Sequence, residues 1–281
     1  MDLLSLAEMD REQISEILAI AKSFRENPVG TDLAGKTVVL FFPTSSIRTR
    51  ITFEKAVFDL GGQPILFPSS ALDKKEEIID VARYLDNWVD LAIVRHPEAE
   101  KLRVLSHASS VPVINAMTSA NHPCEILSDY FSIGLARQTM NQLRLAFVGP
   151  AGNILRSWIN LATVLNLRLV HVCRAEERIM EDCATYRFTT DLDSVLPETD
   201  VILTDPLPPE FQDEEYYNRY QITEGRLALL PDHGLLNPCP PFSRGEEISP
   251  GAIESERFVG YQFKENLLYV QQAIIRYCLS G

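Results

Sequence analysis

Short apolar runs alternate with stretches of helical periodicity along most of the chain. Runs at 37–42, 64–67, 91–95 and 111–116 read as strands, with helices predicted near 51–60, 76–88, 98–107 and 123–137. A second set of strands is predicted at 143–149, 167–173 and 200–205, with a helix near 152–165 between the first two. Near-continuous apolar strands separated by amphipathic helices predict parallel sheets covered on both faces. The expected fold class is therefore α/β, with two domains, each a parallel sheet flanked by helices, joined by long helices. The helix from Cys124 to Arg137 is expected to link them, which puts the boundary near residue 133. Amphipathic patterns at about 5–24 and 265–279 predict the first and last helices, and the stretches 206–209 and 237–243 are proline-rich enough to be shaped loops.

Composition narrows the function classes. A chain of 281 residues exceeds the usual single core, and 46% hydrophobic residues with a mean hydropathy of −0.04 describe an ordinary globule. No apolar run is long enough to cross a membrane, and Met1 to Asp10 carries acidic rather than basic residues, so a cytoplasmic protein with no membrane partner is expected. The balance of 39 acidic against 26 basic residues, a net charge of −13, argues against nucleic acid as a partner. Any phosphate site must then be local and built from few arginines. Five cysteines without a Cys-x-x-Cys pair indicate neither a disulfide framework nor a zinc site, and Cys173, Cys183 and Cys278 are expected to be buried thiols.

The segment Phe41-Phe42-Pro43-Thr44-Ser45-Ser46-Ile47-Arg48-Thr49-Arg50 leaves the first strand and enters a helical run. That order puts Ser46, Thr49 and several backbone N–H groups at a helix N-terminus with arginines beside them, an arrangement that holds a phosphate dianion. A solvated helix face is the other reading of Arg48 and Arg50. The string resembles the Ser-x-Arg-Thr-Arg signature of the aspartate and ornithine carbamoyltransferases, whose members bind carbamoyl phosphate there. Four further segments follow in that family's order. Arg95-His96-Pro97 resembles its Arg-His-Pro segment, and His122-Pro123-Cys124-Glu125 its His-Pro-x-Gln helix start. Gly149-Pro150-Ala151-Gly152-Asn153 resembles the Gly-Asp-Gly-Asn-Asn turn of the ornithine enzymes. Asn237-Pro238-Cys239-Pro240 sits where the family has His-Cys-Leu-Pro or His-Pro-Leu-Pro.

The resemblance implies a carbamoyltransferase that needs no metal, cofactor or covalent intermediate. It implies that 1–133 binds carbamoyl phosphate, with a last helix at about 265–281 packing back on it, and that 134–264 binds an amino-acid or amine acceptor. Ser46, Arg48, Thr49 and the Ile47 N–H would hold the phosphate, while Thr49, Arg95 and His122 would point at the carbonyl oxygen. Arg48, Thr49, Arg95 and His122 form the expected catalytic set. Lys75, in the charged run Asp73-Lys74-Lys75-Glu76-Glu77, matches a lysine that enters the neighbouring subunit's site, so a homotrimer with shared sites is implied. Asn153 and Asp205 match acceptor contacts of the ornithine enzymes, and Cys239 and Pro240 belong to the fourth motif.

Several positions depart from the family pattern. Ile47 stands for threonine, Glu125 for the glutamine that accepts from the carbamoyl NH2, Pro150 for aspartate, Asn237 for histidine and Pro241 for arginine. Pro206-Leu207-Pro208-Pro209 replaces Ser-Met-Gly, and Asp205 puts an acid where an aspartate-clamping arginine would be needed. An acceptor with a free ammonium, ornithine or a related diamino acid, fits better than aspartate. A catalytically weakened paralogue that binds carbamoyl phosphate or phosphate as a regulatory or assembly subunit is the alternative. A dinucleotide site at Gly149-Pro-Ala-Gly lacks the third glycine and the acidic strand end.

Overall fold

A computed structural model describes residues 1–137, 140 and 142–280 of the chain, which divides into two compact units. Unit 1 runs from Met1 to Ser132 and regains the chain from Glu265; unit 2 is Ile133–Lys264.

In unit 1, strands β1 (Thr37–Phe42), β2 (Gln63–Pro68), β3 (Leu91–Arg95) and β4 (Val113–Met117) form one parallel sheet in the order β2-β1-β3-β4. Its helices are α1 (Arg11–Glu26), α2 (Arg48–Asp59), α3 (Ile78–Leu85) and α4 (Ala99–Ala108); α5 (Pro123–Ala136) carries the chain across the unit boundary. Side-chain alternation sends Val39, Phe41, Ala92 and Val94 to one face, where Leu72, Ala82, Leu102 and Leu105 complete a core. Val38, Leu40 and Phe42 occupy the other face, and Phe42 meets Phe53 of α2. The C-terminal helix, Leu267–Ser280, packs against α1 and α2.

The first helix starts later than its apolar pattern suggests. Asp10 closes a capping box with Gln13, each side chain accepting the other's backbone N–H at 2.8 and 2.9 Å, and residues 6–8 form a separate 3-10 turn. The fourth strand likewise starts at Val113 rather than 111, where the Asp2 carboxylate accepts the Val113 N–H at 2.7 Å.

In unit 2, β5 (Arg144–Val148), β6 (Arg168–Val172), β7 (Tyr186–Thr189), β8 (Val201–Thr204) and β9 (Leu235–Pro238) are all parallel, in the order β7-β6-β5-β8-β9. The helices are α6 (Asn153–Leu165), α7 (Glu214–Tyr220), α8 (Glu224–Leu227), α9 (Pro250–Ile253) and α10 (Gly260–Lys264). Ala146, Val148, Val172, Ile202 and Leu236 face a core shared with Tyr216 and Tyr220, while α6 buries Leu155, Trp158, Leu161 and Leu165. The short edge strands β7 and β9 and helices α7 to α10 add to what the sequence pattern predicts. Asp200, at the foot of β8, gathers Arg137, Arg144 and His233. Cys173 and Cys278 are buried as expected, but Cys183 is exposed, in the loop before edge strand β7, where no second layer covers it.

Both sheets reverse their strand order once, between β1 and β3 in unit 1 and between β5 and β8 in unit 2. Such switch points leave a crevice beyond the carboxyl ends of the two strands, the position where open α/β sheets bind ligands. The chain supplies one such crevice per unit.

Candidate active site

At the unit 1 switch point, β1 ends in the turn Pro43-Thr44-Ser45-Ser46, closed by the Ser46 N–H donating to the Pro43 carbonyl at 2.9 Å. The next strand, β3, ends at Arg95, whose guanidinium donates to Ser46 Oγ at 3.2 Å and Thr49 Oγ1 at 3.3 Å. Both hydroxyls are buried, so one arginine ties the turn and the first turn of α2 to the adjacent strand. Ile47 occupies the N-cap of α2 with no side-chain capping bond, and its side chain is 64% exposed.

No acidic residue lies in the first turn of α2. The unsatisfied N–H groups and positive dipole end of this helix are thus left to an anion. The two flanking arginines differ. Arg50 is engaged by Glu54 at 2.6 Å, whereas Arg48 is exposed and forms no ion pair among the described residues.

His122 and Glu125 enter from β4. His122 is buried immediately before α5, its carbonyl accepting the Ile126 N–H at 3.3 Å, and Glu125 is buried in the first turn of that helix. Cys124, between them, is fully buried, and burial pushes its thiol well above the ordinary range, so it packs rather than reacts.

Lys75 is exposed in the bend between the 3-10 turn Ser69–Asp73 and α3, and it makes no hydrogen bond or ion pair among the described residues. The bend is anchored two residues earlier. His96 Nδ1 accepts the Glu98 N–H at 3.1 Å, which puts the ring proton on Nε2, from where it donates to Asp73 Oδ1 at 2.9 Å. Lys101 also binds Asp73, and with His96 it holds that carboxyl below the usual range. His96 thus joins the base of the Lys75 bend to the strand end that carries Arg95.

At the unit 2 switch point, β5 leads through Gly149-Pro150-Ala151-Gly152 into α6, whose first residue is Asn153. Asp205 follows the last residue of β8. A Cβ built on Gly152 would lie 3.4 Å from Asp205 Oδ2, so the carboxylate stands beside the start of α6 and close to Asn153. Like α2, α6 has no side-chain cap and no acid in its first turn. Among helices whose N-caps are described, these two alone lack both features. Cys239 donates its N–H to the Thr204 carbonyl at 2.9 Å, bringing Cys239 and Pro240 alongside the same strand end. Asn237 lies one step deeper, paired in register with Leu203 and 1% exposed. It is part of the sheet interior rather than of the crevice.

Gln271 and Gln272 are buried in the C-terminal helix, and Arg276 of that helix pairs with Asp32 at 2.5 and 2.8 Å and stacks on Phe24. Glu247 was not indicated by the sequence pattern, because one acid in a run of two reads as surface charge. It is 1% exposed, burial pushes its carboxyl up to about 7, and its Oε1 accepts the Ser243 N–H at 2.8 Å, bracing the loop after Pro240.

The chain is thus a two-domain α/β protein with polar side chains gathered at the switch point of each parallel sheet, the position where such folds bind ligands. Residues 1–134 match the carbamoyl-P binding domain, and residues 141–278 the Asp/Orn binding domain, of aspartate/ornithine carbamoyltransferase. The ornithine carbamoyltransferase of Methanopyrus kandleri is 32% identical over 300 residues, covering 97% of this chain and 95% of the relative. That of Desulfotalea psychrophila is 31% identical, with 96% of each covered. Among solved structures, the ornithine carbamoyltransferase from Thermus thermophilus superposes with a TM-score of 0.91 at 26% identity, covering 99% of this chain and 98% of that one. The Pyrococcus furiosus enzyme gives 0.91 at 27%, covering 100% and 97%. The chain belongs to the aspartate/ornithine carbamoyltransferase family. It is a carbamoyltransferase, moving the carbamoyl group of carbamoyl phosphate to the amine of an amino-acid acceptor.

Proposed function

We propose that the acceptor is a diamino acid of the ornithine type, with the unit 1 switch-point residues serving the donor and the unit 2 switch-point residues serving the acceptor. The observation that carries this reading is the Asp205 carboxylate beside the start of α6. An acid there attracts the ammonium of a diamino acid and repels the second carboxylate of aspartate. Asn153, Cys239 and Pro240 supply the polar surroundings of the same amino-acid head.

On the donor side, Ser46, Arg48, Thr49 and the first-turn N–H groups of α2, that of Ile47 included, receive the phosphate. Arg95, with Thr49 and His122, faces the carbonyl oxygen. The neutral side-chain amine attacks the carbonyl carbon, a C–N bond forms, and the carbonyl electrons move to oxygen. Arg95 and His122 stabilise that oxyanion where it develops, a contribution of about 3 kcal/mol per donor in comparable sites. The tetrahedral intermediate collapses with cleavage of the C–O bond to phosphate, which leaves with the bonding pair, and the amine proton passes to phosphate or water. Glu125 accepts from the carbamoyl NH2, as the family's glutamine does, with a carboxylate in place of an amide.

The active unit is read as a cytoplasmic homotrimer in which Lys75 of each chain completes a neighbour's donor site. No described helix is long and apolar enough to cross a membrane. The exposure of Lys75, with its bend anchored through Asp73, fits a residue offered to another chain.

The test is a panel of amines assayed for carbamoyl phosphate-dependent ureido product. L-ornithine or a shorter diamino acid is expected to outperform L-aspartate, and Asp205→Asn should raise the acceptor KM while phosphate affinity holds. Efficient carbamoylation of L-aspartate that Asp205→Asn leaves unchanged would overturn the acceptor assignment. Retained phosphate binding without turnover of any amine would favour the regulatory-subunit reading that Glu125 motivates.

A further inference from the structure

The turn between β5 and α6 has to be held in a defined orientation to aim Asn153, yet Pro150 within it has no N–H to donate. Its fixation therefore falls on its neighbours. Gly149, at φ +148°, donates its N–H to the Val172 carbonyl at 3.1 Å, and the Ala151 N–H reaches Glu177 Oε2 at 2.7 Å. The Gly149 carbonyl is met by a side chain from the interior of the sheet: His171 Nε2 lies 2.9 Å from it.

His171 is an unusual occupant of that place. It is fully buried on β6, in register with Phe147 on one side and Phe188 on the other, and makes edge contacts with both rings. An apolar side chain would satisfy packing alone. The imidazole instead has both nitrogens engaged, Nε2 with Gly149 and Nδ1 with the Tyr186 hydroxyl at 3.1 Å. A carbonyl can only accept, so Nε2 carries the proton, and Nδ1 accepts from the Tyr186 O–H. Burial lowers the ring to about 4, so it stays neutral and keeps this tautomer at physiological pH.

We infer that His171 is a positioning residue for the acceptor: a relay from the Tyr186 hydroxyl through the imidazole to the Gly149 carbonyl sets the turn that presents Asn153 beside Asp205. The inference rests on the proposed role of that turn in acceptor binding. It adds a specificity determinant from the β6–β7 edge of the sheet, outside all five family-like motifs.

Side-chain reach makes the test selective. Glutamine places an amide near the position of Nε2, whereas leucine has no donor. In the full-length enzyme, His171→Leu should raise the acceptor KM roughly tenfold, as expected when a buried carbonyl loses its donor, and leave inorganic phosphate affinity unchanged. His171→Gln should recover most of that loss. Tyr186→Phe keeps the ring and removes the relay's first donor together with the hydroxyl's contact to the Ile179 backbone, so it should produce a smaller rise, about threefold, and keeps the test available if His171→Leu does not fold. Equal impairment by His171→Leu and His171→Gln, or parallel loss of phosphate binding, would reduce His171 to a core residue and overturn the inference. So would an unchanged acceptor KM in Tyr186→Phe if His171→Leu fails to fold. Asn153→Ala separates the two levels. If it raises the acceptor KM while His171→Leu does not, the relay alone is wrong; if Asn153→Ala has no effect, the acceptor role of the turn fails and the inference falls with it.

Discussion

Arg48 and Arg50 stand two residues apart at the start of α2, and replacing each by alanine separates a ligand-binding charge from a structural one. Arg50 is committed to Glu54, and both side chains of that pair are a third or more exposed. Exposed pairs contribute about 0–1 kcal/mol, so Arg50→Ala should change stability by no more than that and phosphate affinity by less than about threefold. Arg48 has no acid partner among the described residues and lies at the positive end of a helix without a cap or an acid in its first turn. A cation there opposes the helix dipole by a few tenths of a kcal/mol, a cost that only an anion removes. Arg48→Ala should therefore stabilise the ligand-free protein slightly, and more at low salt than at high salt. Bound phosphate loses a charge-assisted contact worth about 2–3 kcal/mol, which weakens Kd roughly 30- to 140-fold. Calorimetry with inorganic phosphate and with carbamoyl phosphate, beside thermal unfolding without ligand, measures both effects. Unchanged phosphate affinity in folded Arg48→Ala would refute the assignment of the α2 cradle. Equal loss in Arg50→Ala would show that general charge, and not this geometry, binds the anion.

Three further outcomes follow from single side chains. Glu247 is buried with its folded pKa raised from 4.5 to about 7, so its penalty is absent below about pH 4.5, grows as pH rises and levels off above about 7, where it reaches about 3 kcal/mol; Glu247→Gln should flatten this part of the urea stability–pH profile, and an unchanged slope would refute the assignment. Burial opposes ionisation of Asp200, but hydrogen bonds from His233 and Arg144 and the charge of Arg137 outweigh it and hold its carboxyl below the usual range. Its contribution is full above about pH 4 and lost as pH falls through the depressed value, and Asp200→Ala should cost about 3 kcal/mol or more because two arginines lose their buried partner; a loss under about 1 kcal/mol in urea unfolding would contradict this. Mixing inactive Lys75→Ala with inactive Arg48→Ala chains should restore part of the activity, since a hybrid oligomer contains sites with both residues intact, and no recovery after verified subunit exchange would make Lys75 an ordinary surface lysine.

The strand end, turn and helix start at the unit 1 switch point are legible in the sequence because ten consecutive residues contain all three, and the apolar run before them fixes where the turn must be. Arg95 could be added because it closes another apolar run, although its bonds to Ser46 and Thr49 require knowing that β3 lies beside β1. The unit 2 switch point is less legible, since its residues come from three strand ends far apart in the chain. β9 is only four residues long and ends at a proline, so no periodicity announces it, and whether Asn237 faces the crevice or the interior depends on its register with Leu203. Cys183 departs from its expected burial for a related reason: a thiol's burial depends on whether the adjacent strand lies at an edge, and β7 is an edge strand. His171 and Glu247 carry no local signal, because a histidine within an apolar strand and an acid within an acidic pair look like packing and solvation.

The helix starts were legible in another way, through residues that are missing. Ser, Thr, Asp or Asn at an N-cap stabilises a helix by about 1 kcal/mol, and α1, α7, α8 and α9 use Asp10, Asp213, Thr223 and Ser249 in this way. α3 and α4 forgo it but carry an acid in the first turn, whereas the helices at the two switch points, with Ile47 and Gly152 in the cap positions, have neither. A capping side chain would occupy the N–H groups that a ligand must reach, so its absence leaves those donors available. The two helix ends then differ in what surrounds them. α2 begins among Arg48, Arg95 and two hydroxyls and is suited to a dianion, whereas α6 sets uncapped N–H donors beside the Asp205 carboxylate and is suited to a head group that carries both a carboxylate and an ammonium. This difference in charge supports the proposed placing of the phosphate donor on unit 1 and of an ammonium-bearing acceptor on unit 2.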